Sequence, residues 1–154
     1  MQRVIEKLIN SGKTISTMES CTGGGISNAI TNIPDASKVI KFSAVTYSNE
    51  YKIKMGVSEE LINKYSVYSM EVASDMAKKI SLFTSSSYGV GVTGKLKKPD
   101  ENNMFGSDDL VYLSIYDAIN DKYYNKEIKL NFDTRIDNKN QIITEFIDLF
   151  LNIS

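Results

Sequence analysis

Apolar residues along this chain recur at two spacings, and the alternation between them predicts the order of elements. From Gln2 to Gly12, Val4, Ile5, Leu8 and Ile9 share one face of a short amphipathic helix that Gly12 ends. Thr14 to Thr17 is β-branched and predicts a strand. A turn carrying Ser20 and three glycines follows, then a helix to about Asn32, where Pro34-Asp35 breaks it. Val39 to Tyr47 is apolar and β-branched enough for a buried strand, and strand, helix, strand at this length predicts a crossover to a parallel neighbour. Ser48 or Asn49 caps a short helix stopping at Gly56, and Ser58-Glu59-Glu60 opens another. Ser69 caps a longer helix with a core stripe of Val72, Ala73, Met76, Ala77, Ile80 and Phe83.

Tyr88 to Val92 predicts a third strand, whose glycines imply close backbone approach, and it terminates at Thr93-Gly94. Lys95 to Asp109 is a polar loop of a length that is usually functional or disordered. Leu110 to Tyr116 is the fourth strand. A turn at Asn120-Asp121 leads to an antiparallel fifth, on which Tyr124, Ile128, Leu130 and Phe132 alternate with polar residues. Asp133 or Thr134 caps a last helix that turns Ile136, Ile143, Phe146, Ile147, Phe150 and Leu151 to the core. The order predicts an α/β fold: a three-layer α/β/α sandwich with a mixed, mainly five-stranded sheet, expected as one domain over residues 1–154.

Composition narrows the chemistry more than the fold. With 42% hydrophobic and 24% charged residues the chain is ordinary for a soluble protein. A net charge of −1 supplies no basic field for nucleic acid or an anionic membrane, and no apolar run reaches the ~20 residues of a membrane span. A single cysteine rules out an intrachain disulfide and fits a cytoplasmic location. There is no histidine. That removes Ser-His-Asp and Cys-His arrangements and histidine-ligated metals, leaving lysine, carboxylate, tyrosine or water to move protons. Asp108-Asp109 and Asp133 read as turn and cap residues, so no metal is expected.

Three predicted strands end in small polar residues: Ser20, then Tyr47 to Asn49, then Thr93-Gly94. If those strands are parallel, all three patches gather along one sheet edge, where open α/β sheets bind ligands. Ser20 would there attack an acyl carbon, Lys52 with a pKa lowered by partial burial would take its proton, and Tyr47 would relay that proton or orient the lysine. Backbone N–H groups near Thr22 and Gly23 would hold the oxyanion. Each residue also has a structural reading: Ser20 as a helix cap before packing glycines, Lys52 as an exposed lysine, Tyr47 as a core aromatic, Thr93 as a polar strand end. Cys21 is either a rival nucleophile at a helix N-terminus or a small buried filler. Lys95, Lys97 and Lys98 either grip a phosphate or belong to a solvated loop.

The stretches Glu19-Ser20-Cys21-Thr22-Gly23-Gly24 and Val45-Thr46-Tyr47-Ser48-Asn49-Glu50-Tyr51-Lys52 resemble the C-terminal domain family of the competence/damage-inducible protein CinA. The resemblance continues through Gly56-Val57, Ser69-Met70-Glu71-Val72-Ala73, Gly91-Val92-Thr93-Gly94 and Thr134-Arg135. Stand-alone members of that family are nicotinamide-nucleotide amidases. The resemblance implies metal- and cofactor-free hydrolysis of the carboxamide of nicotinamide mononucleotide, with Ser20 as nucleophile, Lys52 as base and Tyr47 assisting. It places Thr22, Gly23, Gly24, Asn49, Thr93 and Gly94 around a pyridine mononucleotide substrate. Arg135 would start a helix or contact a phosphate. A homo-oligomer is implied, with the edge from Tyr112 to Tyr124 as its interface. The family's glycine-rich loop after the third strand is here Gly94-Lys95-Leu96-Lys97-Lys98-Pro99-Asp100-Glu101-Asn102-Asn103. That departure leaves open a nucleotide-binding or scaffold protein without turnover.

Overall fold

The computed structural model describes residues 1–153. Elements follow in the order α1 (Gln2–Ser11), β1 (Ile15–Glu19), α2 (Gly25–Thr31), a short 3-10 turn (Ala36–Lys38), β2 (Ile40–Val45), α3 (Asn49–Lys54), α4 (Glu59–Tyr65), α5 (Met70–Thr84), β3 (Tyr88–Gly94), β4 (Leu110–Asp117), β5 (Lys122–Lys129) and α6 (Arg135–Leu151). The sheet order is β2-β1-β3-β4-β5. The first three strands are parallel, and β4 and β5 are antiparallel to their neighbours. Helices cover both faces, giving the α/β/α sandwich that the pattern predicts.

Strand period sorts side chains between the two faces. Ile15, Val90, Val92, Leu113 and Ile115 enter a core shared with Val4, Leu8, Ile26, Ile30, Ile142, Phe146 and Phe150 of α1, α2 and α6. Met18 points the other way, to Val72, Met76 and Ile80 of α5 with Val57, Ile62 and Val67. Gly89 and Gly91 let α5 lie directly on β3. A Cβ at Gly89 would stand 1.9 Å from the Ala77 carbonyl oxygen, and one at Gly91 2.1 Å from that of Ala73.

Several expectations need correction. The strand read as buried is an edge strand: β2 pairs only with β1, and Phe42 and Val45 are exposed. Phe83 is not on the core stripe of α5. It is 65% exposed and stacks on Phe42 at 5.6 Å outside the sheet edge, while Ser81 is buried in its stead. On α6 the buried stripe is Asn138, Ile142, Phe146 and Phe150, spaced by four residues, and Ile136 is 62% exposed. Ile143, Ile147 and Leu151 pack only part-buried at its margin. The polar Asn138 hides this phase from a hydrophobicity reading. Its side chain accepts from the Phe132 N–H and donates to the Phe132 carbonyl, turning the chain out of the sheet after Lys129 and leaving Phe132 exposed. Ile9 likewise faces solvent at the rim of α1. No helix among the described residues is long and apolar enough to cross a membrane.

Candidate functional site

β1 ends at Glu19, level with Val45 on one neighbour and Val92 on the other. Ser20 therefore stands just past the carboxyl edge of three parallel strands. Its N–H donates to the Val92 carbonyl at 3.1 Å, while the Thr46 N–H donates to the Glu19 carbonyl at 2.8 Å. The next turn closes through the Gly23 N–H on the Ser20 carbonyl, and Gly24 takes φ +90° to enter α2. Positive φ at Gly23 and Gly24 is the conformational reason for glycine at both.

The N-terminus of α2 is not a free anion site, contrary to the reading of the turn. The fully buried Glu19 carboxylate fills it, accepting from the Ile26 N–H at 2.9 Å, the Ser27 N–H at 2.8 Å and the Thr22 hydroxyl at 2.6 Å. The Thr22 hydroxyl thus serves the turn rather than a ligand. Gly23 has spent its N–H within the turn, and neither it nor Gly24 lines the adjoining cavity. Cys21 does line that cavity.

Lys52 is not the exposed lysine that a short helix suggests. Ser48 caps α3 by accepting from the Tyr51 N–H, and Lys52, one turn into the helix, points inward with 2% of its surface exposed. Its Nζ donates to the Thr46 carbonyl at 2.7 Å and to Ser20 Oγ at 3.1 Å. Burial lowers its pKa from 10.5 to about 8, against the opposing pull of Cys21 and Asp100. Cys21 is the small buried residue: burial pushes its thiol up to about 12, with Lys52 opposing.

A cavity of about 890 Å³ opens over Ser20 and Lys52. Its walls come from the Tyr47–Asn49 stretch, Tyr68 after α4, Gly94, the loop residues Lys98 to Asn103, and Arg135 at the start of α6. Asn49 and Gly94 line it as expected. Thr93 does not: it is buried beneath, its hydroxyl donating to the Val67 carbonyl at 3.0 Å. Tyr47 lines the mouth, 64% exposed, and its hydroxyl accepts from Arg135 Nη2 at 3.3 Å rather than touching Lys52. Among the described residues no three His, Cys, Asp or Glu side chains converge as metal ligands.

The loop after β3 has no glycine from Lys95 to Phe105. Leu96 and Lys97 take φ of +53° and +61°, conformations that ordinarily favour glycine, and Leu96 is buried beneath them. Lys95 does not reach for a ligand. Its buried ammonium donates to the Gly106 carbonyl at 3.1 Å, the Met104 carbonyl at 3.4 Å and Asp108 at 3.0 Å, stapling the loop to itself. The far wall is a hydrogen-bonded run: the Tyr68 hydroxyl and Asn103 Nδ2 both donate to Asp100 Oδ2, and Asn49 Nδ2 donates to Asn103 Oδ1 at 2.8 Å. Tyr68, Asp100 and Asn103 went unnoticed in sequence because each is an ordinary loop residue until the fold closes over Ser20.

The family described as CinA C-terminal domain matches residues 1–152. A CinA-like protein of Endomicrobium trichonymphae is 38% identical over 144 residues, 92% of this chain and 32% of that protein. The chain thus spans about a third of the length of such relatives. Among solved structures, the competence/damage inducible protein CihA from Agrobacterium tumefaciens is 27% identical, covers 96% of this chain and 91% of its own, and superposes with a TM-score of 0.83. A CinA superfamily protein from Escherichia coli shares the fold at a TM-score of 0.87 and 20% identity, over 97% of this chain and 86% of its own.

Proposed function

Because the chain belongs to the CinA C-terminal domain family, we propose that it hydrolyses the carboxamide of nicotinamide mononucleotide through Ser20 and Lys52. The observation that carries this reading is the buried Lys52 Nζ, 3.1 Å from Ser20 Oγ at the floor of an open cavity. With a pKa of about 8, roughly a tenth of this lysine is neutral at pH 7 and about half at pH 8. A neutral amine can accept the serine proton, and an ammonium can return it.

The steps balance without a cofactor. Ser20 Oγ attacks the amide carbon as its proton passes to Lys52, and the Cys21 N–H supports the developing oxyanion. The tetrahedral intermediate collapses, ammonia leaving with the proton from Lys52 and an ester remaining on Ser20. Water then gives its proton to Lys52, attacks the ester, and frees the acid as Ser20 recovers its proton. Arg135, held beside Tyr47 at the mouth, and Lys98 in the loop wall supply positive charge for a phosphate. This gives Tyr47 a part in ordering Arg135 rather than in moving the serine proton.

The test is ammonia release from nicotinamide mononucleotide, with Ser20→Ala as control. The expected loss in kcat is on the order of a thousandfold or more. Equal release by both proteins would remove the mechanism. The glycine-poor loop favours one second reading, a mononucleotide-binding protein without turnover. Saturable binding with no ammonia would select it.

A further inference from the structure

The cavity carries charges of both signs. Arg135 and Lys98 give it cationic groups, while Asp100 and Glu101 put carboxylates in the same wall. Lys95 acts on Asp100 only at a distance, since its ammonium is engaged by Asp108 and two carbonyls. Neutral donors hold Asp100: the Tyr68 hydroxyl, Asn103 Nδ2 at 2.9 Å and the Asn102 N–H at 3.0 Å. The Asn49–Asn103 bond ties this carboxylate to α3, the helix that carries Lys52. The arrangement fixes an anion within the electrostatic reach of Lys52, and among the described residues no cation lies within salt-bridge distance of it. An immobilised carboxylate without a salt-bridge partner attracts a cation that a ligand brings.

We propose that Asp100, fixed by Tyr68 and Asn103, is a specificity-determining residue that selects amides borne on a positively charged ring. A pyridinium whose carboxamide lies at Ser20 brings its charge towards the Tyr68–Asp100 wall, where the Tyr68 phenol adds an aromatic surface. Its phosphate lies towards Arg135 beside Tyr47, so a zwitterionic ligand meets groups of both signs in the cavity. Placing the amide next to Ser20 rests on the amidase reading. The hydrogen bonds from Tyr68 and Asn103 hold the Asp100 carboxyl below its ordinary range, which keeps it charged at neutral pH.

Two ligands separate the charge from everything else: nicotinamide mononucleotide, and its dihydropyridine form, which has the same amide, ribose and phosphate on a neutral ring. Affinities for both are measured by titration on Ser20→Ala and on Ser20→Ala with Asp100→Asn. Ammonia release from both is measured on the wild type and Asp100→Asn. The expected result is that Asp100→Asn weakens binding of the cationic ligand roughly tenfold relative to the neutral one. The change in the ratio is the readout, because the dihydropyridine amide is intrinsically less electrophilic. An unchanged ratio, equal weakening of both ligands, or no binding of either overturns the proposal. Ammonia with an unchanged ratio keeps the amidase and removes the selector. A charge preference in binding with no ammonia from either compound does the reverse.

Discussion

A lysine ammonium withdrawn from water loses solvation that one hydroxyl and one carbonyl replace only in part. That deficit lowers the Lys52 pKa to about 8 and gives the proposed base its reactivity. It also has a stability signature. Because the folded value lies below the unfolded 10.5, the folded chain binds fewer protons between the two, and stability rises with pH across that window. Relative to Lys52→Met, the wild type should gain up to about 3 kcal/mol from pH 8 to pH 10.5, read from urea unfolding of both proteins. Turnover should climb towards pH 8 and level off above it. A flat profile between pH 6.5 and 9 would separate catalysis from this lysine. At the neighbouring position, burial and a thiol pKa of about 12 predict that iodoacetamide leaves native activity intact at pH 8. Rapid inactivation with labelling of Cys21 would restore the thiol as a rival nucleophile.

Among the elements, β3 and α5 show how glycine placement sets a helix on a sheet. Neither Gly89 nor Gly91 has positive φ, so their requirement is space alone. Gly91→Ala would drive a methyl into the Ala73 carbonyl and lift α5, at an expected cost of about 3 kcal/mol. The corresponding fall in Tm is roughly 6–12 °C by calorimetry. A fall of under about 2 °C would mean that the helix yields freely. The β3–β4 loop works the opposite way: in place of glycines it uses two left-handed non-glycine residues and an internal lysine staple. Side-chain bonds there offset a backbone cost of about 1–2 kcal/mol per residue.

At the scale of the molecule, the cavity belongs to no single element. Its walls come from α3, α6 and the segments after β1, α4 and β3, so a ligand there adds to the few side-chain bonds that join them. Nicotinamide mononucleotide at a hundred times its Kd should therefore stabilise Ser20→Ala by about 2.7 kcal/mol, a rise in Tm of roughly 5–10 °C. No shift at millimolar ligand would count against the cavity as a mononucleotide site.

Element order, the parallel crossovers and the meeting of Ser20 with the segment from Tyr47 to Lys52 were legible in the chain itself. They depend on local periodicity, turn residues and the handedness of βαβ connections, which act over short stretches. The same local pattern misread Phe83, Ile136 and the edge strand β2, because burial depends on what lies opposite. Only the folded arrangement decided that Lys52 is buried, that Glu19 occupies the helix N-terminus, that Tyr47 turns to Arg135, and that Asp100 stands over the floor of the cavity. Each is a contact between segments distant in the chain or a consequence of desolvation, and neither leaves a periodic trace in the order of residues.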